Sequence, residues 1–170
     1  MMSWNADVTR LPERMHLEYL NELFLKNALA EGHFHFDGIG IALMDIHIPI
    51  FAVGTERDHV SPWKSVYKIH LLTDTDTTFV LTVGGHNAGI VSEPGHAHRS
   101  YKIHSMEKGH DWLEPEEWTA QANKQEGSWW DAFENWLSLR SGTKMPAPVP
   151  STEYGLGAAP GLYVHQRYAD

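Results

Sequence analysis

A chain of 170 residues that are 42% hydrophobic can close one domain with its own core, and a formal net charge of -9 argues against nucleic acid or an anionic membrane as partner. Zero cysteines remove disulfides, thiolate-bound zinc, iron–sulfur clusters and a thiol nucleophile from these residues. No apolar run reaches the ~18 residues of a membrane span, and the first residues lack a basic flank followed by an apolar stretch, so a cytoplasmic chain without a membrane span is expected.

The first element is a helix opened by Leu11-Pro12-Glu13-Arg14 and ended by Gly32, with Met15, Tyr19, Leu20, Leu23, Phe24 and Ala28 spaced to bury one side. His33 to Leu43 reads as a hairpin, because Asp37-Gly38 accepts the positive φ values of a tight turn. Ile48 to Gly54 is nearly all apolar, as a strand covered by helices on both faces should be. Ser61-Pro62 starts a helix to about Leu71, with Trp63, Val66, Tyr67 and His70 facing inward. Thr77 to Val83 is a second β-rich run, and strand, helix, strand makes the two runs parallel neighbours.

Gly84-Gly85-His86 breaks that second run. Ser92 to Gly109 is expected to be loop, with a short extended piece at Arg99 to His104. Pro115-Glu116-Glu117-Trp118 opens a helix that Gly127 interrupts, and Trp129, Trp130, Phe133, Trp136 and Leu137 form an aromatic stripe on a second helical segment. The Pro-, Gly- and Ser-rich residues 142–170 are set apart as a tail, leaving 1–141 as the globular segment.

Parallel strands deliver their following loops to one edge, so Asp58 and His86, each just past a strand, are expected to meet there. A carboxylate held on one imidazole nitrogen fixes the tautomer and frees the other nitrogen to take a proton. The competing readings are plain: twelve histidines make one near a loop unsurprising, and Asp58 could cap the turn that follows it. His59 points elsewhere if the loop is extended. His33 with His35, and His96 with His98, are His-x-His pairs that could share a strand face, but two ligands do not make a metal site and solvent-facing histidines explain them as well. Neither a metal nor another cofactor is assigned. The tryptophan stripe most simply means a packed face.

Segments Trp4–Pro12 (WNADVTRLP), Phe51–Trp63 (FAVGTERDHVSPW), Gly84–Val91 (GGHNAGIV), Gly127–Trp130 (GSWW) and Ala159–Val164 (APGLYV) together resemble the C-terminal part of the polyhydroxyalkanoate synthases. The resemblance covers most of the chain. It implies an α/β fold, the C-terminal portion of an α/β-hydrolase-like parallel sheet with flanking helices that is incomplete without upstream chain. In that family a cysteine thiolate attacks a 3-hydroxyacyl-CoA thioester and holds the growing polyester; the family's histidine falls on His86 and its aspartate on Asp58. The acid-before-histidine order is also that of the α/β-hydrolases.

The resemblance further implies that the nucleophilic cysteine lies before residue 1, so that residues 1–170 alone should not polymerise. The expected partners are hydroxyacyl-CoA and polyester in the intact enzyme, the missing N-terminal part of the domain, and a second copy through an exposed strand edge; polyester granules join the cytoplasm as a location. The alternative is a non-catalytic interaction or regulatory domain that associates with a synthase or a granule.

Overall fold

The computed structural model describes residues 10–149, 155 and 157–165. Residues Lys26–Gly142 make one compact unit; the described parts of 1–25 and 143–170 make another. Trp4 to Thr9 of the first family-like segment lie outside the described residues.

In the smaller unit, α1 spans Glu13–Glu18 and continues as a π-helical stretch over Tyr19–Leu25. The expected helix to Gly32 therefore ends early, and Asn27 at φ 52 turns the chain just beyond it. Of the residues expected to face inward, Met15, Tyr19, Leu20 and Phe24 are exposed and Leu23 is half-buried, while Ala28, beyond the helical stretch, is buried. Helical periodicity identifies which residues share a face and carries no information on what covers that face.

The larger unit begins with the hairpin. Strands β1 (His35–Phe36) and β2 (Ile39–Gly40) pair antiparallel, with Asp37 at φ 48 and Gly38 at φ 77. Both turn residues thus occupy the left-handed region, as a type I′ turn requires.

A four-stranded sheet follows in the order β3 (Ile50–Thr55), β4 (Thr77–Thr82), β5 (Ser100–Met106) and β6 (Asn123–Glu126). The crossover from β3 to β4 carries the short helices α2 (Trp63–Tyr67) and α3 (Ile69–Leu72), which makes those strands parallel in the register Ile50↔Thr77 to Thr55↔Thr82. Strands β5 and β6 join antiparallel, so the sheet is mixed and not wholly parallel as expected. Residues 83–99 and 107–122, the second stretch carrying a helix, each bring the chain back to the end of the sheet it has just left, so the next strand runs antiparallel.

Alternation along β4 divides the core. Phe79 and Leu81 face Tyr67, Met106 and Trp118, with α2, α3 and α4 (Pro115–Gln121) supplying that cover. Val80 faces the other way, toward Tyr101 and the buried ring of Trp129 on α5 (Trp129–Ser138). Every residue of β4 is buried, so this strand is the centre of the unit.

The two sheet edges differ in chemistry. The β6 sequence Asn123-Lys124-Gln125-Glu126 is polar and exposed throughout, which is how an edge left to solvent avoids further pairing. The β3 sequence Ile50-Phe51-Ala52-Val53-Gly54-Thr55 is apolar, yet among the described residues its only strand partner is β4.

His70 on α3 is buried at 7% exposure, and neither ring nitrogen has a hydrogen-bond partner. Tyr67 and Phe79 pack against it, and the His110 ring lies 5.5 Å away. Burial, then the nearby charges of His110 and His104, push its pKa from 6.5 down to about 4. The unfolded chain consequently takes up this proton more readily, so the stability contributed by neutral His70 is complete above 6.5 and is lost as pH falls toward about 4. We expect His70→Phe to flatten the fall in urea midpoint between about pH 7 and about pH 5; an unchanged slope would show that another group sets it.

Candidate functional site

The ladder between β3 and β4 continues past the last paired residues. Glu56 N–H donates to the Thr82 carbonyl at 3.0 Å and Arg57 N–H to the Gly84 carbonyl at 2.9 Å. These bonds keep the two loops side by side as they leave the carboxyl ends of the parallel strands. Asp58 and His86 are the next side chains to project from them.

The structure brings Asp58 and His86 together. His86 Nδ1 lies 3.0 Å from Asp58 Oδ2 and 3.1 Å from Oδ1. The Asp58 side chain is 8% exposed and that of His86 is 45% exposed, so the acid is sheltered and the imidazole reaches outward. His59 is exposed and is hydrogen-bonded to neither.

Asp58 also caps the turn that follows it. Its Oδ1 accepts Val60 N–H at 2.9 Å and Ser61 N–H at 2.8 Å, which caps the turn leading into α2. Pro62 occupies the cap position of α2 with no side-chain hydrogen bond, and the two amides that Asp58 satisfies lie in the turn just before it. Thr55, 2% exposed, places its hydroxyl 3.5 Å from Asp58 Oδ2.

This donor set holds Asp58 as an anion. The Ser61 N–H is the largest contribution, opposed by burial and reinforced by His86 and the Val60 N–H, and the carboxyl pKa falls from 3.8 to about 2. An ionised carboxylate only accepts, so the hydrogen between the two side chains belongs to His86 Nδ1. In neutral His86 that leaves Nε2 as the unprotonated nitrogen. The arrangement can take a proton at Nε2 and stabilise the resulting imidazolium through Asp58.

The path of the His86 loop depends on close backbone approach. Gly84 has φ 127, and a Cβ there would meet Gly89 Cα at 2.7 Å; a Cβ on Gly89 would meet Thr55 Cγ2 at 2.5 Å. Glycine at these two positions lets the loop fold back upon β3, which packs it beside the residue that contacts Asp58.

No protein-family model matches the chain. Over 169 residues it is 34% identical to the poly(3-hydroxyalkanoate) polymerase subunit PhaC of Rhizobium etli, an alignment of 98% of this chain and 26% of the relative. It is 32% identical over 170 residues to the poly(3-hydroxyalkanoate) polymerase of Methylorubrum extorquens, with 98% and 27% covered. For poly(3-hydroxyalkanoate) polymerase 2 of Ectopseudomonas oleovorans the figures are 34% over 173 residues, with 98% and 30% covered. The chain is homologous to the poly(3-hydroxyalkanoate) polymerases. It spans 26% to 30% of the length of these curated polymerases.

Other histidines singled out in the sequence lie elsewhere. His35 Nδ1 is hydrogen-bonded to the His33 carbonyl at 2.9 Å, and His96 Nδ1 to Glu93 Oε1 at 2.9 Å. Among the described residues no three His, Asp or Glu side chains are grouped so as to hold a metal ion. No helix among them is long and apolar enough to cross a membrane.

The residues that sequence reasoning did not connect with the site are Thr55, Ser128, Trp129 and Trp130. Thr55 ends the strand that carries Asp58, a position from which contact could have been inferred. Nothing in the polymerase-like GSWW segment announces that it touches the His86 loop, because 40 residues separate the Trp129 and Trp130 donors from their acceptors.

Proposed function

We propose that this chain supplies the acid and base of a polyhydroxyalkanoate synthase site, in which 3-hydroxyacyl groups pass from CoA thioesters to a growing polyester. The observation that carries this reading is the hydrogen bond from His86 Nδ1 to Asp58 Oδ2, 3.0 Å long and set at the rim of a parallel strand pair in a chain homologous to the polymerases. The wider fold would be α/β-hydrolase-like, with residues 1–141 as catalytic-domain segment and 142–170 as tail.

The nucleophile would be a cysteine thiol from outside these 170 residues, which contain none. His86 Nε2 takes the thiol proton, and the thiolate attacks the thioester carbonyl. Collapse of the tetrahedral intermediate expels CoA, which leaves with the proton held by His86, and the acyl group remains on sulfur. The 3-hydroxyl of the next hydroxyacyl-CoA is then deprotonated, by His86 or with help from Asp58, and attacks the acyl–cysteine thioester; an ester forms, the C–S bond breaks, and the departing cysteine sulfur takes the proton back. Asp58 stays ionised and holds the imidazole in its productive tautomer.

The apolar β3 edge fits this reading, because it suits further sheet pairing whereas the β6 edge does not. In a preparation of this chain by itself, the same edge would recruit a second copy. Light scattering is expected to show a dimer or larger species; a stable monomer at high concentration would reject the edge as an association surface. The cytoplasm, with polyester granules as the site of action, follows from the proposed substrate.

Two measurements test the reading. Incubated with hydroxybutyryl-CoA, the isolated chain should show no covalent adduct by intact-mass spectrometry, whereas an acyl adduct would sink the assignment of the nucleophile. A chimera in which the chain replaces the aligned 30% of the Ectopseudomonas oleovorans polymerase 2 should release CoA from that substrate. The absence of cysteine also suits the alternative of a non-catalytic partner domain of a synthase. That reading predicts CoA release in the chimera that is indifferent to His86.

A further inference from the structure

The residues after His86 form a single tight turn. Gly89 N–H donates to the Gly85 carbonyl at 2.9 Å, Ile90 N–H to Asn87 at 3.1 Å and Val91 N–H to Asn87 at 2.9 Å. Such a turn closes its first carbonyls and leaves its last ones without an internal partner. Gly89 is buried, so water cannot readily replace the missing donor.

The N-terminal end of α5 supplies donors instead. Trp129 Nε1 donates to the Gly89 carbonyl at 3.1 Å, and Trp130 Nε1 donates to the Ile90 carbonyl at 2.9 Å. Ser128 Oγ donates to the Ser92 carbonyl while accepting Trp130 N–H at 3.1 Å, so one hydroxyl both starts the helix and fastens it to the loop. The two indole rings stack with centroids 4.6 Å apart, which limits independent movement of either donor. Across the turn, Thr55 sits against Gly89 so closely that no Cβ would fit between them.

We infer that Ser128, Trp129 and Trp130 are positioning residues that clamp the His86 turn against Thr55, and so hold the imidazole in line with Asp58. Packing alone does not require this chemistry. Trp136 lies on the same helix and is partly buried against Phe51 and Phe133, yet its indole N–H has no partner. One helix therefore carries indoles that donate to the loop and an indole that only packs. The inference rests on the proposed role of His86 for its consequence in catalysis, but its geometry and its test do not.

The test compares Trp130→Phe with Trp136→Phe in the full chain, reading the ring nitrogens of His86 by long-range ¹⁵N–¹H NMR at neutral to mildly alkaline pH. Trp130 is 39% exposed, so Trp130→Phe removes the donor while keeping a ring in place and without opening the core. The protein and Trp136→Phe should both show His86 chiefly as the Nδ1–H tautomer. Trp130→Phe should lower the Nδ1–H to Nε2–H ratio by about fivefold, the factor equivalent to one ordinary hydrogen bond.

An unchanged ratio in Trp130→Phe would overturn the clamp, and so would an equal shift in both variants, since that would assign the effect to aromatic packing. Should the clamp hold while the chimera's CoA release proves indifferent to His86, the functional reading fails and the positioning inference stands. The reverse pattern removes the clamp alone.

Discussion

His86→Ala in the polymerase chimera is expected to lower the rate of CoA release by about 10³- to 10⁴-fold. The reason is the single available nitrogen. Asp58, ionised down to about pH 2, occupies Nδ1, and only Nε2 is left to accept the thiol proton and return it to the departing CoA. Asp58→Asn should cost less, because an amide can keep the loop together. It can, however, present its NH₂ group to Nδ1 and so favour the tautomer whose Nε2 carries the hydrogen. The losses should appear in kcat with little change in KM, since neither side chain is proposed to bind substrate in its ground state. A steady-state comparison over a range of hydroxybutyryl-CoA concentrations separates the two parameters.

The largest stability effect is expected from Phe79→Ala, at about 3–5 kcal/mol. Phe79 is fully buried at the centre of β4. Its ring meets Tyr67 at 5.2 Å and Trp118 at 5.1 Å, both nearly perpendicular, while Trp63 and His70 close the remaining sides. Removing it opens a cavity among rigid rings that cannot collapse into the space. A loss of this size is comparable with the whole stability of many domains, so urea unfolding should show a midpoint near zero or no folded baseline. Phe79→Leu, which fills most of the volume, should lose much less; equal behaviour of the two variants would mean that the aromatic cluster tolerates a void.

What could be read from the sequence depended on where each signal resides. β3 and β4 were legible because burial on both faces leaves a continuous apolar or β-branched run. The Asp37-Gly38 turn was legible because few residue pairs accept two positive φ values. β6 was not, since Asn123 to Glu126 are all polar and their pairing with β5 is made by backbone groups that no side chain advertises. β5 was seen only as a short piece at Arg99 to His104, and it runs over Ser100–Met106 because β4 offers a full antiparallel partner. With β5 and β6 unread, the sheet was expected to be parallel throughout.

The site divides in the same manner. Asp58 and His86 each follow a strand, so parallel pairing alone was enough to expect them at one edge. The cap that Asp58 provides to Val60 and Ser61 had been set against a role beside His86, and the structure contains both: Oδ1 accepts the two amides, and both oxygens lie within hydrogen-bond distance of His86 Nδ1. Trp129 and Trp130 were legible as members of an aromatic stripe on a helix, which they are, whereas Ser128 carried no such signal. Their hydrogen bonds to the His86 turn depend on tertiary placement of α5. Periodicity reports the face of a helix and cannot name the carbonyls that its indoles will find.

The most direct test of the central claim is the pH dependence of thiol alkylation in the chimera, following iodoacetamide addition to the polymerase cysteine by mass spectrometry. With Asp58 and His86 in place, the cysteine should alkylate rapidly well below the ordinary thiol value of about 8.5, and in His86→Ala the profile should move up toward that value. Superimposable profiles for the two proteins, both folded by circular dichroism, would contradict the account, because His86 would then have no hold on the thiol proton.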